Sequence, residues 1–394
     1  MRVLVTSTPG YGHVLPMVPL AQALLARGHA VLWATAADAC RRVRDAGVEA
    51  TEAGLTEDEI SPVRSEIRRS VAGLPPEHLP GHVFPRMFGA ARTPPMVDAL
   101  LPLARDWQPD LLVHEQGELA APLVATLVGV PHVVHSFGGA TPASIVAAAG
   151  EAVAPLWSRH GAAVPRYAGC YEHLYLDICP TALQTVPLDH VGAVQRARPV
   201  FPPAAGPGLA ATMLPEDDGR PLVYVTFGTV HNSAAVLQPV VEAVAGLDVR
   251  LVVTVGPDSD PAALGPQPTH VRVERWLPQV DVLARSAAVV SHGGSGTVFA
   301  TAAQGLPQLC LPQGADQFRN SAGVVRAGAG LGLHPDDATP DAVAASVREL
   351  LDRADLRVGA ARVRGEIAAM PAPDMVVDRL EQLSPGRGPS RRRG

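Results

Sequence analysis

The residues best suited to chemistry lie between Val289 and Gln317, in the stretch VVSHGGSGTVFATAAQGLPQLCLPQGADQ. A strand-like run over Ala287–Ser291 empties into His292-Gly293-Gly294-Ser295-Gly296-Thr297, and Val298 to Gln304 reads as a helix that Gly305 stops. Three glycines let the main chain approach a ligand closely, and a helix that starts there points unpaired N–H groups and the positive end of its dipole outward. That chemistry suits a phosphate. Ser295 and Thr297 add hydroxyl donors and His292 an imidazole, while Asp316 and Gln317, after a second short element, offer a carboxylate and an amide for sugar hydroxyls.

A lone glycine turn after a strand is more often a tight turn than a phosphate site. Here it has company. Phe227-Gly228-Thr229 follows a strand-like Leu222–Phe227, and Arg275-Trp276-Leu277-Pro278-Gln279 offers an indole face for a base. Together they read as a cradle for a nucleotide-diphosphate sugar, with the base at Trp276, the diphosphate at HGGSGT and the sugar at Asp316 and Gln317.

WLPQ, HGGSGT, GLPQLCLP and GADQ, in that order, resemble the donor-binding half of the family 1 glycosyltransferases, the UDP-glycosyltransferase superfamily with the two-domain GT-B fold. The turn is HGGSGT and not the HCGWNS of plant members, which makes the chain more similar to bacterial antibiotic glycosyltransferases. That resemblance implies a dTDP- or UDP-sugar donor and a small hydrophobic natural product, such as a polyketide, as acceptor. Carried over position by position, it implies that Thr229, His292, Gly293, Gly294, Ser295, Gly296 and Thr297 surround the diphosphate. Trp276, with Leu277 and Gln279 beside it, would take the base, and Asp316 and Gln317 the sugar.

A second constellation lies near the start. Val3 to Thr6 is a short apolar run that delivers Thr8-Pro9-Gly10-Tyr11-Gly12-His13 to the carboxyl end of a sheet, where open α/β sheets bind ligands. A histidine in such a loop can take a proton from a hydroxyl, which makes His13 a candidate general base; on position alone a turn histidine bonded to backbone is the commoner outcome. GYGH followed by PMVPLAQAL is similar to the family's amino-terminal motif, which implies that His13 deprotonates the acceptor. A dinucleotide fingerprint is incomplete, because Leu15 stands where the third glycine belongs. Glu115 ends a strand over Asp110–Glu115 on the same rim, where a carboxylate could orient the imidazole. The family usually has aspartate there, one methylene shorter, and a solvated loop residue is the alternative for Glu115.

The elements that must position these groups alternate. Leu15, Val18, Ala21, Leu24 and Leu25 recur at helical spacing, Gly28 closes that helix, and Val31-Leu32-Trp33 makes the next strand, so the sheet is parallel. From Leu55 to Pro95 seven prolines break the pattern into short helices and loops, with Ile60 to Val71 amphipathic. This insertion either shapes an acceptor pocket or is a surface excursion. Gly12, Phe84, Met87, Phe88 and Phe137 are the candidate acceptor contacts. After Pro199 to Arg220, which has linker composition, strands and helices alternate again from Leu222. The fold class is α/β: two Rossmann-like domains with parallel sheets facing across a cleft. Expected boundaries are residues 1–200, a linker 201–220, a second domain 221–370, a helix 371–383 that by resemblance crosses back onto the first domain, and a disordered tail 384–394.

Composition removes other classes. The chain has 394 residues, enough for two domains, and aromatics are only 4%, so the cores must be aliphatic. A formal charge of -6 gives no reason to expect nucleic acid. All 32 basic residues are arginine, which excludes a Walker-A lysine and a Schiff-base lysine; genomic base composition explains the bias. Cys40, Cys170, Cys179 and Cys310 are scattered and suit a reducing compartment, and no leader or spanning run is evident, so a cytoplasmic protein without membrane contact is expected. A homodimer is possible. No metal-ligand cluster and no cofactor beyond the co-substrate are expected, and the chemistry would be a direct, inverting displacement. Two alternatives stay open: a nucleotide-sugar epimerase on the same fold, and a non-catalytic auxiliary protein. A serine hydrolase is disfavoured, because Thr297 replaces the last glycine of a G-x-S-x-G elbow.

Overall fold

The computed structural model of the chain describes residues 1–201, 213–228, 234–257 and 259–384. Thr229, most of the expected linker and residues 385–394 lie outside the described residues. The chain divides into two units. The first comprises Met1–Ile178, Val186–Arg198 and the segment from Met370 onward; the second comprises Cys179–Thr185 and Pro199–Ala369.

In the first unit seven strands form one parallel sheet in the order β3-β2-β1-β4-β5-β6-β7. They are β1 (Arg2–Thr6), β2 (Ala30–Thr35), β3 (Glu49–Glu52), β4 (Leu111–Glu115), β5 (His132–His135), β6 (Leu174–Asp177) and β7 (Val194–Arg196). RVLVT and LLVHE are near-continuous apolar runs because helices cover both faces of such a sheet. The core over one face gathers Leu4, Leu112, Val97, Leu100, Val124 and Trp157, all fully buried or nearly so. Strand order reverses between β1 and β4, and Thr6 pairs with His114 there, which brings the residues after Thr6 beside Glu115.

The segment between β3 and β4 is the expected mixture of short helices and loops, and the helix Glu57–Ser70 covers most of the expected Ile60–Val71, but the prolines act differently from expectation. Thr56 and Glu59 form a capping box that starts the helix Glu57–Ser70. Pro76, Pro80, Pro85 and Pro94 each sit in the first two positions of a helical segment, where a missing N–H costs nothing and the fixed φ favours entry. These prolines therefore begin helices and do not break them. A π-helical stretch, Pro85–Arg92, joins Leu79–Phe84 to the long helix Thr93–Trp107. The helix Pro373–Leu383 belongs to the same unit and packs on Val18–Ala26. Arg27 pairs there with Asp378 at 2.8 Å, and Glu381 accepts from His29 at 3.0 Å.

The second unit repeats the plan with six parallel strands in the order β10-β9-β8-β11-β12-β13. They are β8 (Leu222–Thr226), β9 (Arg250–Thr254), β10 (Val271–Glu274), β11 (Ala288–Ser291), β12 (Gln308–Cys310) and β13 (Gly330–Gly332). Order reverses between β8 and β11, so the glycine turn after β11 leaves the sheet at its switch point. The helix Ser295–Gln304 ends at Gly305, whose φ of 71° supplies the left-handed cap. Among the described residues no helix is long and apolar enough to cross a membrane.

Burial keeps three imidazoles on β4 and β5 neutral. It pushes His114 and His135 down to about 4, and His132, with His114 and His173 as neighbours, well below its ordinary value. An unfolded histidine takes up its proton near pH 6.5, so below that pH the unfolded chain binds more protons than the folded one. Stability should then fall as pH drops from about 6.5 to about 4. Glu118, raised to about 7 mainly by burial, acts in the opposite sense between about 4.5 and 7, one carboxyl against three imidazoles. Urea-unfolding midpoints across this window should decline toward acid, and His135→Asn should flatten part of the decline.

Candidate active site

Glu115 ends β4 and is fully buried. Its carboxylate is well supplied: Oε1 accepts from the Thr8 N–H at 3.2 Å and the Thr8 hydroxyl at 2.9 Å, and Oε2 accepts a short bond from the Gly117 N–H. The Nδ1 of His13 lies 3.0 Å from Oε1, within ion-pair reach but off the line of a straight N–H···O bond, so the attraction is chiefly Coulombic. Burial raises the Glu115 pKa, yet the His13 charge and contact, the Gly117 N–H and the Thr8 hydroxyl together outweigh it and hold the carboxyl below its ordinary value. The solvated-loop alternative is thereby excluded. The extra methylene does not prevent the contact, because Thr8 and Gly117 anchor both oxygens.

The His13 ring is 21% exposed while Nδ1 is buried, so the accessible part of the ring lies away from the carboxylate. With Nδ1–H turned to Glu115, the Nε2 lone pair is the basic site, and the carboxylate stabilises the imidazolium that forms on protonation. Phe137 and Phe88 pack on the imidazole, with centroids at 4.6 and 5.5 Å. Gly10 permits the approach, since a Cβ there would lie 2.9 Å from the His13 ring, whereas Gly12 faces open space. Of the other expected acceptor contacts, Phe84 is buried in the main core and stacks on Phe88, and Met87 packs with Ile60 and Ile67. Both support the aromatic wall from behind. Arg42 completes the turn: its guanidinium stacks 3.5 Å over Tyr11 and donates to the Pro9 carbonyl at 2.8 Å. Nothing in sequence spacing connects Arg42 with His13.

In the second unit the HGGSGT turn folds around its own histidine. A Cβ on Gly294 would meet the His292 ring at 2.5 Å, and one on Gly228, at φ 68°, would meet it at 2.8 Å. The ring is lodged between the two glycine turns and stacks on Phe227 at 6.2 Å. The helix Ser295–Gln304 starts with no side-chain cap, so its first-turn amides, from Ser295, Gly296 and Thr297, have no protein acceptor among the described residues. Such a terminus can take an anion. Thr297 accepts from the Gln279 amide at 3.2 Å, which leaves its own hydroxyl proton for a ligand.

Ser295 differs from expectation: its hydroxyl donates to Asp316 Oδ2 at 2.6 Å and so is not a spare donor. Asn320, which sequence reading missed, ties the site together by donating to the Gly293 carbonyl at 2.9 Å and to Ser295 Oγ and Asp316 Oδ2 at 3.0 Å. Its signal was the four-residue spacing from Asp316, one helical turn on the same face. Gln317 is buried and its Oε1 accepts from the Gln313 and Gly314 amides, which closes the GADQ turn. Among the described residues no donor reaches Asp316 Oδ1, since both side-chain contacts go to Oδ2. The Trp276 indole is 55% exposed, whereas the Leu277 side chain is buried with Leu222, Tyr224 and Val282 and anchors the loop that presents the indole. Among the described residues no group of three or more His, Cys, Asp or Glu side chains is placed to hold a metal ion.

The lodged imidazole makes the two turn glycines unequal. Gly294→Ala should lower stability by about 1–3 kcal/mol through overpacking. Gly296→Ala, in open space within the first helical turn, should raise it by about 0.5–1 kcal/mol. Thermal unfolding of the two variants checks the contrast.

Known proteins share this construction. Residues 22–185 match the model of the N-terminal domain of the erythromycin biosynthesis protein CIII-like family, and residues 238–383 match its C-terminal domain. The chain is 34% identical to an L-demethylnoviosyl transferase of Streptomyces niveus, over 96% of this chain and 97% of that one. It is 33% identical to the elloramycin glycosyltransferase ElmGT of Streptomyces olivaceus, again over 96% and 97%. Among solved structures, glycosyltransferase VinC in complex with dTDP is similar with a TM-score of 0.79 at 27% identity, covering 98% of this chain and 100% of that one. SnogD from Streptomyces nogalater is 32% identical with a TM-score of 0.74, over 98% and 99%. These relatives are transferases, which favours sugar transfer over the epimerase and auxiliary alternatives. The chain belongs to the erythromycin biosynthesis protein CIII-like family and is a GT-B glycosyltransferase of the bacterial natural-product branch.

Proposed function

We propose that the protein transfers a deoxysugar from a dTDP-sugar to a hydroxyl group of a small hydrophobic natural product, in one inverting displacement that needs no metal. The observation that carries this is the buried Glu115 carboxylate against the His13 imidazole, on which Phe88 and Phe137 pack. Thymidine is favoured over uridine by the relatives: VinC and SsfS6 have been solved with thymidine diphosphate, and SpnG with thymidine diphosphate in one structure and with spinosyn aglycone in another.

In this scheme His13 Nε2 takes the proton of the acceptor hydroxyl as its oxygen attacks the anomeric carbon, and Glu115 stabilises the imidazolium. The bond from that carbon to the diphosphate oxygen breaks. Charge on the departing diphosphate is met by the Ser295, Gly296 and Thr297 amides and the Thr297 hydroxyl, so the helix terminus does what magnesium does elsewhere. Trp276 stacks on the base, and Asp316 Oδ1 holds a sugar hydroxyl. Thr229, which the family motif places on the diphosphate, belongs to the same proposal.

His13→Ala should lower turnover about 10²–10⁴-fold while dTDP affinity stays unchanged. Glu115→Gln should reduce turnover in the same sense, because the neutral amide no longer stabilises the imidazolium. Initial rates by mass spectrometry, with dTDP-sugars and a panel of aromatic and macrocyclic aglycones, test both. Unchanged turnover in His13→Ala would refute the assignment.

A further inference from the structure

The contact between His13 and Glu115 attracts without aiming. Nδ1 lies 3.0 Å from the carboxylate but makes no hydrogen bond of good geometry, so the attraction alone does not fix the plane of the ring. That plane is set by what packs on it, Phe137 at 4.6 Å and Phe88 at 5.5 Å. Phe88 stands on the helical backbone of Pro85–Arg92, and its ring is backed by Phe84 at 4.9 Å. Phe137 lies in the loop after β5, is only half-buried and is followed by Gly138 and Gly139, so its backbone needs an outside hold.

One end of that loop is pinned to β6. The Ser136 N–H donates to the Leu176 carbonyl and the Ile178 N–H to Ser136 Oγ, both at 2.9 Å. The other end is pinned by Gln116, buried between Glu115 and Gly117 just past the end of β4. Its Nε2 donates to the Gly139 carbonyl at 3.3 Å. Its Oε1 accepts from the Thr141 N–H at 3.3 Å, the Thr141 hydroxyl at 3.4 Å and the Tyr175 hydroxyl at 3.3 Å. Each bond is long, as expected where three donors share two lone pairs, and the hold comes from their number. The side-chain amide thus meets a backbone carbonyl and a backbone N–H at once, as a neighbouring strand would. His190 Nε2 donates to the Thr141 carbonyl at 3.1 Å and steadies the same stretch.

Resting on the role of base proposed for His13, we infer that Gln116 is a positioning residue for it. Gln116 ties the Phe137 loop to the strand end that carries Glu115, so one short segment holds both the ring that packs on the imidazole and the carboxylate that attracts it. Without this tie Phe137 leaves the imidazole, and Nε2 loses its fixed direction.

The test is the ring-proton resonance of His13 in the full chain with labelled histidine, which feels the ring current of Phe137 and needs no substrate. His13→Gln assigns the signal, and Phe137→Leu shows where it lies once that ring is gone. Gln116→Met, which removes donor and acceptor at nearly unchanged volume, should move the resonance toward its Phe137→Leu position. Gln116→Asn keeps the amide but is one methylene short of the loop, and should move it in the same sense. Made in the Phe137→Leu background, neither substitution should move it further. A resonance that stays in place in both single variants would overturn the role, and so would an equal movement in the Phe137→Leu background. The turnover of His13→Ala, by contrast, reads the base itself.

Discussion

A carboxylate with no access to water organises the first unit. Burying an ionised Glu115 is prohibitive unless its oxygens are met, and they are met by groups from two chain segments, the Thr8 N–H and hydroxyl after β1 and the Gly117 N–H after β4. Those same segments are the lips of the switch point. The solution to one electrostatic problem therefore also sets the turn that carries His13, whose imidazole, with the Gly117 and Thr8 donors, helps hold the carboxyl below its ordinary value. The second unit shows the inverse arrangement. There the first turn of Ser295–Gln304 presents donors that have no acceptor among the described residues, while Asn320, Asp316 and Ser295 bond to one another beside them. One unit has a charge fully provided for; the other has an uncapped helix terminus whose donors suit an anion.

Sheet topology explains why both groups fall where they do. In an open parallel sheet the loops at the carboxyl ends diverge where strand order reverses, and the two reversals are β1/β4 and β8/β11. His13 and Glu115 follow the first pair; Gly228 and the HGGSGT turn follow the second. Small residues let the chain close around the site: Gly10 admits the His13 ring, and Gly228 and Gly294 admit that of His292.

Much of this was legible in the residues. Strands β1, β4, β8 and β11 are short, apolar and buried on both faces, and the helix from Ser295 to Gly305 carries its start and stop signals in sequence. What escaped notice has identifiable causes. β3, β7 and β13, with sequences EATE, VQR and GLG, lie on sheet edges and have little strand propensity of their own; they are strands because a neighbour offers its hydrogen bonds. The prolines after Leu55 were misjudged because proline in a first helical turn and proline in a loop look alike without the register. Arg42 and Asn320 act through tertiary contacts, and Leu277 and Gln317 lie in motifs tied to a ligand although their side chains serve the protein itself.

Single displacement with His13 as base implies a definite stereochemical result, since the acceptor oxygen must enter opposite the diphosphate it replaces. The most direct measurement is the anomeric configuration of the product, read from the proton coupling constant by NMR, after reaction with a dTDP-sugar of known configuration. Inversion is predicted. Retention would require a second displacement or attack from the leaving-group side, and would contradict the roles assigned to His13 and Glu115.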